Sequence, residues 1–236
     1  MIDMHCHILF DTDDGSKSLD ESVEMIKEAH NAGFTTLVAT PHYLEPQFVK
    51  TCSQNIEILN KIKETLKEQG ISIDLHLGNE IYITNKIEDL INDNRVKTLG
   101  DSDYIMFELP LFQKLDSAVD IIRNLPYNHM ILAHPERYVA VQKDIHYLDD
   151  FIEMGVLLQC NYESITGKYG FAAKNIMKKL LKKNMVDLLS TDCHRMHSTY
   201  TRMEDIERRL LKVIDKEYYD YLTVVNPQNI LNTKEE

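Results

Sequence analysis

Histidine and carboxylate side chains of this sequence stand at the ends of short apolar runs, in spacings that suit divalent metal ions. His5 and His7 are two residues apart, so in a strand both imidazoles project from the same face. Asp192 and His194 repeat this spacing after the last apolar run. Imidazole and carboxylate groups suit Zn, Mn or Fe, and a set without thiolate argues against a structural zinc site. The pattern indicates a metalloenzyme.

The candidate donors share one position, the carboxyl end of a run that reads as a strand. Seven such runs punctuate the chain, and six of them carry or directly precede one or two donors. In a barrel or open sheet of parallel strands these ends lie on one face, so residues distant in sequence converge on one small volume. The donors at strand ends are His5, His7, His42, Glu80, Glu108, His134, Asp192 and His194.

Stretches of helical periodicity separate the apolar runs. Helices are predicted from Ser18 onward and over 53–69, 171–183 and 202–215. Strands that alternate with helices indicate βαβ units and a parallel sheet, so the predicted fold class is α/β. The predicted strands cover 2–9, 34–39, 71–80, 104–108, 129–134, 156–160 and 186–191.

Two of the helices carry more detailed signals. Glu21 follows Ser18 by three residues, which predicts a capping box at the start of the first helix. The second helix is predicted to turn one apolar face inward. That face consists of Ile56, Leu59, Ile62 and Leu66.

Length and composition limit the class of protein. A chain of 236 residues suits one α/β domain, predicted to span 1–236. The formal charge of −12 disfavours a nucleic-acid surface, which needs clustered Lys and Arg. No stretch approaches the roughly 20 apolar residues that span a bilayer. The chain has no export signal and no C-x-x-C pair, so a cytoplasmic protein with reduced thiols is expected.

One predicted helix is unusually basic. We interpret its lysines as a solvated face, with a docking patch for an acidic partner as the alternative. The lysines are Lys174, Lys178, Lys179, Lys182 and Lys183.

Six short motifs, each ending or following an apolar run, make the sequence resemble the PHP (polymerase and histidinol phosphatase) superfamily. Within it, the chain is most similar to the bacterial metal-dependent protein-tyrosine phosphatases of capsule and exopolysaccharide systems, the CpsB/YwqE type. The resemblance runs from residue 1 to 227 and implies a distorted seven-stranded (βα)7 TIM-like barrel, the PHP fold. The motifs are H-C-H-I-L at 5–9, D-D-G at 13–15, V-A-T-P-H-Y at 38–43, G-N-E at 78–80, A-H-P-E-R-Y at 133–138 and S-T-D-C-H at 190–194.

The resemblance also implies three divalent metal ions at the carboxyl-terminal mouth of the barrel, with Mn2+ expected and Fe, Co or Zn as alternatives. Glu80 would bridge two of the ions. The implied ligands are His5, His7, Glu80 and Asp192 for one metal, Glu80, Glu108 and His134 for a second, and Asp14, His42 and His194 for the third.

The activity implied is hydrolysis of phosphotyrosine on proteins. A hydroxide that bridges two metals would attack phosphorus in line, and the phenolate leaves with little help because its pKa is near 10. The expected substrate is a membrane-associated bacterial tyrosine kinase, and a homo-oligomer is expected. The absence of a C-x5-R motif disfavours a cysteine-dependent route. Two alternatives remain open: another PHP phosphoesterase, such as a histidinol-phosphate phosphatase, or a non-catalytic regulator that binds the kinase.

Several residues are candidates for substrate binding and catalysis. Arg137 matches the family's phosphate-binding arginine. We expect Arg137 and His42 to take part in catalysis. The family places a second arginine where this chain has Thr199, so Arg195 or Arg202 is expected to substitute. Tyr43 is expected to pack against the substrate's phenyl ring or to line the rim of the barrel. The general acid stays unidentified.

Overall fold

The computed structural model, which describes residues 1–115, 117–127 and 129–234, alternates short strands with helices along the whole chain. This confirms the predicted α/β class. The strands are β1 Ile2–Cys6, β2 Thr36–Ala39, β3 His42–Tyr43, β4 Asp74–Leu77, β5 Glu80–Tyr82, β6 Ile105–Glu108, β7 Met130–Ala133, β8 Leu157–Asn161 and β9 Leu188–Ser190.

In the described ranges, ten α-helices connect the strands or follow them. They are α1 Leu19–Asn31, α2 Cys52–Glu68, α3 Ile87–Asn92, α4 Ala118–Arg123, α5 Val139–Lys143, α6 Asp149–Glu153, α7 Gly170–Lys182, α8 Met203–Leu210, α9 Lys216–Asp220 and α10 Asn226–Asn232. Short 3-10 helices cover Pro135–Arg137, Ile145–Leu148, Tyr162–Thr166 and Tyr200–Arg202, and a π-helix covers Tyr221–Val225. Within the described ranges, none of the helices has the length and apolar character that crossing a bilayer requires.

The strands form two sheets in which every pairing is parallel. The smaller sheet has the order β1-β2-β4, and the larger has the order β3-β5-β6-β7-β8-β9. The segment after β9 hydrogen-bonds to β1: the Asp192 N–H donates to the His5 carbonyl (2.8 Å), and the His7 N–H donates to the Cys193 carbonyl (2.9 Å). The carboxyl ends of the first and last strands are therefore adjacent.

Two strands of the series resume after a short break. Two residues separate β2 from β3, which lies beyond the predicted strand 34–39, and two residues separate β4 from β5 within the predicted strand 71–80. Pro41, in the first break, has no N–H to continue the ladder. Gly78, in the second, lies so close to the Leu99 segment that an added Cβ would approach Leu99 Cδ2 to 2.6 Å. These breaks place His42 and Glu80 at the starts of new strands that pair in register.

The helix starts follow the predicted chemistry only in part. The Ser18 hydroxyl accepts the Glu21 N–H (3.2 Å), but the Glu21 carboxylate accepts the N–H of Lys17 (2.9 Å), so the box is displaced by one residue. A capping box occurs instead at α2, between Thr51 and Gln54. The prediction that Ile56 faces inward was wrong, because it is 41% exposed one turn into that helix.

A buried carboxylate ties the two ends of the strand series together. Asp3, in β1, is fully buried and accepts hydrogen bonds from the Thr191 N–H (3.0 Å), the Thr191 hydroxyl and the Tyr200 hydroxyl (2.8 Å). Burial raises the pKa of Asp3, although these donors oppose the shift. Because Thr191 precedes Asp192, this contact sets the position of the last predicted donors relative to His5 and His7.

Candidate metal centre

All nine predicted donors converge at the carboxyl ends of the strands. Five of them belong to β1, β3, β5 and β6 or follow β1 directly, and the others lie in the segments after β1, β7 and β9. Among the described residues, three groups of side chains could each hold a metal ion, because the donor atoms within each group lie within 4.8 Å of one another. The groups are His5, His7, Glu80 and Asp192; His42, Glu80 and Glu108; and His7, Asp14, His42 and His194.

The first group is entirely buried and brings nitrogen and oxygen atoms face to face. His5 Nε2 lies 3.1 Å from Glu80 Oε2 and 3.5 Å from Asp192 Oδ1. His7 Nε2 lies 3.3 Å from Asp192 Oδ1 and 3.2 Å from His5 Nε2. These are the four residues that the resemblance assigns to one metal.

The second group is arranged around Glu80. Its Oε2 atom faces His42 Nδ1 at 2.9 Å, and its Oε1 atom faces His134 Nε2 at 2.8 Å. Glu108 Oε1 lies 3.1 Å from His42 Nδ1, whereas Glu108 Oε2 lies 3.9 Å from His134 Nε2. The resemblance assigns His42 to the third metal. In the structure, its Nδ1 atom lies beside the carboxylates of the second group.

The third group lies at the mouth. Asp14 has a side chain 59% exposed, and its Oδ1 atom lies 3.3 Å from His194 Nε2 and 3.6 Å from His42 Nε2. His7 stacks on His194 with 3.9 Å between ring centroids. We do not count His7 as a donor here, because Asp13 holds its Nδ1 atom at 2.7 Å and its Nε2 atom faces the first group.

Buried atoms without hydrogen bonds test whether these residues fit a cation. Among the described side chains, His42 Nδ1, His134 Nδ1 and Glu80 Oε2 are buried and have no hydrogen-bond partner. His42 Nδ1 and Glu80 Oε2 are 2.9 Å apart, yet their lone pairs are not aligned for a bond to each other. Because an unsatisfied buried polar atom is costly, a shared cation is the simplest partner for both. The donor set fits divalent metal ions.

The electrostatics of the protein without metal point the same way. Burial alone would lower the pKa of His5, but Glu80 and Asp192 outweigh it, and that pKa is raised. Burial would raise the pKa of Glu80, but His5 and His42 hold it well below its usual range. Without a metal, the two carboxylates therefore favour the protonated form of the His5 imidazole, and a bound cation would compete with that proton.

Three of the histidines are oriented through Nδ1, which leaves Nε2 for a metal. His7 donates to Asp13 (2.7 Å), His5 donates to Gln159 Oε1 (2.8 Å), and His194 donates to the Asp192 carbonyl (2.9 Å). Partners of this kind fix the tautomer and the ring orientation of metal-binding histidines.

Asp13 is a functional residue that the sequence reasoning missed. Besides His7 it accepts the N–H groups of His42 (2.8 Å) and Gly15 (2.8 Å). Burial would raise its pKa, but His7 and His42 lower it well below its usual value, so the group is ionised. The sequence signal for Asp13 is its place in the D-D-G motif, directly before the predicted ligand Asp14.

Asn161, at the end of the sixth predicted strand, and Gln159, which the sequence analysis did not single out, also support the site. Asn161 donates from Nδ2 to Asp192 Oδ2 (2.7 Å) and accepts from Gln159 Nε2 (3.0 Å). Both side chains are buried and two residues apart on β8. Two amides at strand spacing at the end of an apolar run were the available sequence signal.

Arg137 lies in the cleft above the metal-type donors. Its Nη1 atom donates to Asp192 Oδ2 (2.6 Å), and its guanidinium lies 4.5 Å from the ring centroid of Tyr169. The side chain is 22% exposed, so it is held in place and still reaches the cleft.

The structure does not bring the other predicted substrate-binding residues into the cleft. Arg195 donates to the carbonyl groups of Gly15 and His194, which ties the Asp13–Gly15 loop to the segment after β9. Arg202 pairs with the buried carboxylate of Glu163 (2.8 Å). None of the cleft-lining residues described is Arg195, Arg202 or Tyr43.

Contacts in the structure account for the positions of Tyr43 and Thr199. Side chains alternate along a strand, so in β3 the inward direction of His42 turns Tyr43 to the other face. There Tyr43 is buried under Arg95 and its hydroxyl donates to Glu45 (3.3 Å). Thr199, at the family's second arginine position, donates its hydroxyl to Glu163 (2.8 Å) and is fully buried.

The cleft has a volume of about 400 Å³ and is lined by two kinds of residue. Metal-type donors and Arg137 form one set, and the other set, which we call the apolar wall, is apolar. Phe48 lies on the His42 ring, with 5.7 Å between centroids and 16° between planes. The apolar wall consists of Leu44, Phe48, Tyr82, Leu109, Pro110, Leu111 and Phe112.

Comparisons with known proteins agree with this geometry. The tyrosine-protein phosphatase CpsB from Streptococcus pneumoniae is 28% identical over 98% of this chain and 98% of its own length. A solved structure from the study of YwqE from Bacillus subtilis and CpsB, described as metal-dependent tyrosine phosphatases, superposes with a TM-score of 0.88 at 25% identity, over 100% of this chain and 96% of that one.

A histidinol phosphate phosphatase from Lactococcus lactis matches with a TM-score of 0.59 at 15% identity, over 90% of this chain and 93% of that one, which shows the fold alone. A family model described as capsular polysaccharide synthesis, CpsB/CapC, matches residues 1–232. The chain belongs to the CpsB/CapC family.

Proposed function

We propose that this protein is a metal-dependent phosphatase that hydrolyses phosphotyrosine on proteins. The observation that carries the proposal is a single cleft lined both by donors for cations and by apolar side chains. A phosphotyrosine side chain has the complementary halves, a dianionic phosphate and an aromatic ring. The relatives named as tyrosine phosphatases match nearly the full length of the chain, which supports the same activity here.

The cation sites are proposed to number three, with Mn2+ as the expected metal and Fe, Co or Zn as alternatives. Divalent cations at such a site supply Lewis acidity toward phosphoryl oxygens and a water of lowered pKa. Four carboxylates face the proposed sites, so three divalent cations would exceed their charge by two and favour a phosphate dianion. The carboxylates are Asp14, Glu80, Glu108 and Asp192. The histidines proposed as ligands are His5, His7, His42, His134 and His194.

Arg137 is proposed to bind the phosphoryl group. Its planar guanidinium suits two phosphoryl oxygens, and the bond to Asp192 aims it at the cation sites. His42 is proposed as a ligand that also positions Phe48, whose ring continues the apolar wall. A phenolate leaves more readily than an alkoxide, so this site needs less proton donation for phosphotyrosine than for phosphoserine.

The finer architecture and the biological setting are part of the proposal. A closed barrel of seven strand positions is supported by the contact of β1 with the segment after β9 and by the short breaks before β3 and β5. One domain over 1–236 is supported by the family match to 1–232. The proposed substrate is a membrane-associated bacterial tyrosine kinase, met in the cytoplasm, and the protein is proposed to form a homo-oligomer.

The deciding experiment compares substrates on protein of known metal content. Wild-type protein loaded separately with Mn, Fe, Co or Zn is assayed with matched phosphotyrosine and phosphoserine peptides and with histidinol phosphate. We expect rapid release of phosphate from phosphotyrosine and a kcat/KM at least tenfold lower for the other two. Preference for histidinol phosphate would replace the proposal by a small-molecule phosphatase. If folded, metal-loaded protein turned over none of these substrates, the result would support the alternative of a non-catalytic regulator.

A further inference from the structure

A groove lined by cations lies between two outer helices, apart from the residues that line the cleft. It is formed by α7 with the end of α8 and the segment that follows it, and its volume is about 310 Å³. Ile165 and Val213 line it together with the basic residues. We call it the basic groove, and its cations are Lys174, Lys178, Lys182, Arg209 and Lys212.

The charge of the basic groove is largely uncompensated. Arg209 pairs with Asp205 (2.7 Å), but in the described part of the chain no carboxylate forms an ion pair with the four lysines. Lys174, Lys178 and Lys182 repeat at a spacing of four residues, and like charges at this spacing destabilise a helix. Such clustering in a chain of net charge −12 does not follow from composition, and it favours an anionic ligand.

The shape of the basic groove favours a polypeptide segment over a flat surface. The lysines of α7 stand in one row along the helix, and two apolar side chains line the groove with them. The distance along α7 from Gly170 to Lys178 is about 12 Å at ~1.5 Å per helical residue. An extended peptide covers that distance in about four residues at ~3.3 Å each.

A chain of contacts joins the basic groove to the cleft. Arg137, in the cleft, lies over the Tyr169 ring (4.5 Å), and the Lys168 ammonium lies 5.4 Å from the same ring. Gly167, next to Lys168, lies beside Lys174: a Cβ on it would be 3.7 Å from Lys174 Cδ. Lys168 and Arg202 both pair with Glu163, so this connecting surface also presents cations.

We propose that the basic groove binds an acidic segment of the protein substrate while the cleft holds the phosphotyrosine. This inference rests on the proposed phosphatase activity and adds a second contact to it. Because the stretch from Gly170 to Lys178 alone equals about four extended residues, we place the acidic residues at least about five positions away from the phosphotyrosine. The groove thereby distinguishes a protein substrate from a small aryl phosphate that enters the same cleft.

The test compares charge-reversed variants on substrates that can contact the basic groove and on substrates that cannot. The groove variant is Lys178→Glu/Lys182→Glu, and the control is Lys61→Glu/Lys67→Glu on α2, which makes the same charge change on another helix. Each is assayed with p-nitrophenyl phosphate and with two phosphotyrosine peptides, one neutral and one carrying four acidic residues five to ten positions away. The acidic residues are placed on each side of the phosphotyrosine in turn.

We expect the groove variant to raise KM for the acidic peptide about three- to tenfold at low salt, with kcat unchanged. The control variant and the other two substrates should show no such change, and added salt should remove the difference. Equal KM values for groove variant and control would overturn the inference. Binding of the labelled acidic peptide, followed by fluorescence anisotropy, reports on the groove even if the protein hydrolyses no phosphotyrosine.

Two other occupants would also overturn the inference. Vesicles of anionic lipid that bind the wild type but not the groove variant, with peptide kinetics unaffected, would assign the groove to a membrane surface. A change of oligomeric state in the groove variant alone, with peptide kinetics unaffected, would assign it to a second copy of the chain.

Discussion

At the scale of single residues, the site depends on side chains that do not themselves face the proposed cations. Asp13 accepts from His7 Nδ1 and from the backbone of His42, so one carboxylate positions two of the proposed ligands. Gln159 positions one further proposed ligand, because its Oε1 atom accepts from His5 Nδ1. Because metal affinity depends on such partners as well as on the ligands, these residues are the sharpest test of the geometry.

We predict that Asp13→Asn weakens metal binding about 10- to 100-fold, the usual effect of losing a partner that orients a metal ligand. The amide keeps the shape of the side chain but lacks the charge that holds the His7 imidazole. Metal content after dialysis and kcat/KM with an aryl phosphate measure the effect. Asp11→Asn, at an exposed position in the same loop, is the control. Identical metal titrations for the two variants would contradict the role given to Asp13.

At the scale of secondary-structure elements, the strand ends place the donors and a buried hydrogen-bond network holds the ends in register. β1 and the segment after β9 meet through backbone hydrogen bonds and through Asp3. The short breaks at Pro41 and Gly78 let β3 and β5 start again as a pair, with His42 opposite Glu80. The site is thus built at the junctions of strands rather than within them.

We predict that Asp3→Asn lowers the free energy of unfolding by about 2–4 kcal/mol, because a charged acceptor of buried hydrogen bonds is lost and an amide N–H group is left without an acceptor. For a chain of this length the midpoint of thermal unfolding should fall by roughly 5–15 °C. Calorimetry of the metal-free protein measures the effect apart from catalysis. Asp74→Asn, whose side chain is 68% exposed at the start of β4, should leave the midpoint unchanged. A midpoint for Asp3→Asn within about a degree of wild type would contradict the stabilising role given to the Asp3 hydrogen bonds.

At the scale of the whole molecule, charge is distributed unevenly. The chain is acidic overall, yet it concentrates imidazoles with carboxylates in the cleft and lysines in the basic groove. In the protein without metal, the carboxylates raise the pKa of His5, His7 and His42 against the effect of burial. Stability of the whole fold is therefore coupled to protons and to metal ions at the same place.

We predict that metal ions stabilise the protein more at higher pH. A histidine whose folded-state pKa is raised contributes stability below its unfolded value, near 6.5, and loses it as the pH rises through the folded value. Metal ions compete with those protons, so the gain in melting temperature on adding Mn2+ should be larger at pH 8.5 than at pH 6. Thermal melts with chelator and with metal at both pH values test this. A gain that does not change with pH would contradict the proton–metal exchange.

The sequence predicted more of the site than of its surroundings. Period-2 spacing was enough to pair His5 with His7, and the parallel arrangement followed from the alternation of strands and helices. The roles of Arg202 and Tyr43 depended on which residues lie opposite them, and no local pattern contains that information. Arg202 neutralises Glu163 and Tyr43 packs under Arg95, both through contacts between distant segments.

By itself, then, the sequence determined which donors exist, which strand ends carry them and that these ends share one side of the α/β fold, because strand periodicity and chain order are local properties. Only the tertiary structure decided that His42 faces Glu80 and Glu108, that Asp13 rather than solvent holds His7, and that three cleft candidates lie elsewhere. Those outcomes depend on how strands interrupted at Pro41 and Gly78 come into register, which is set by packing across the whole molecule.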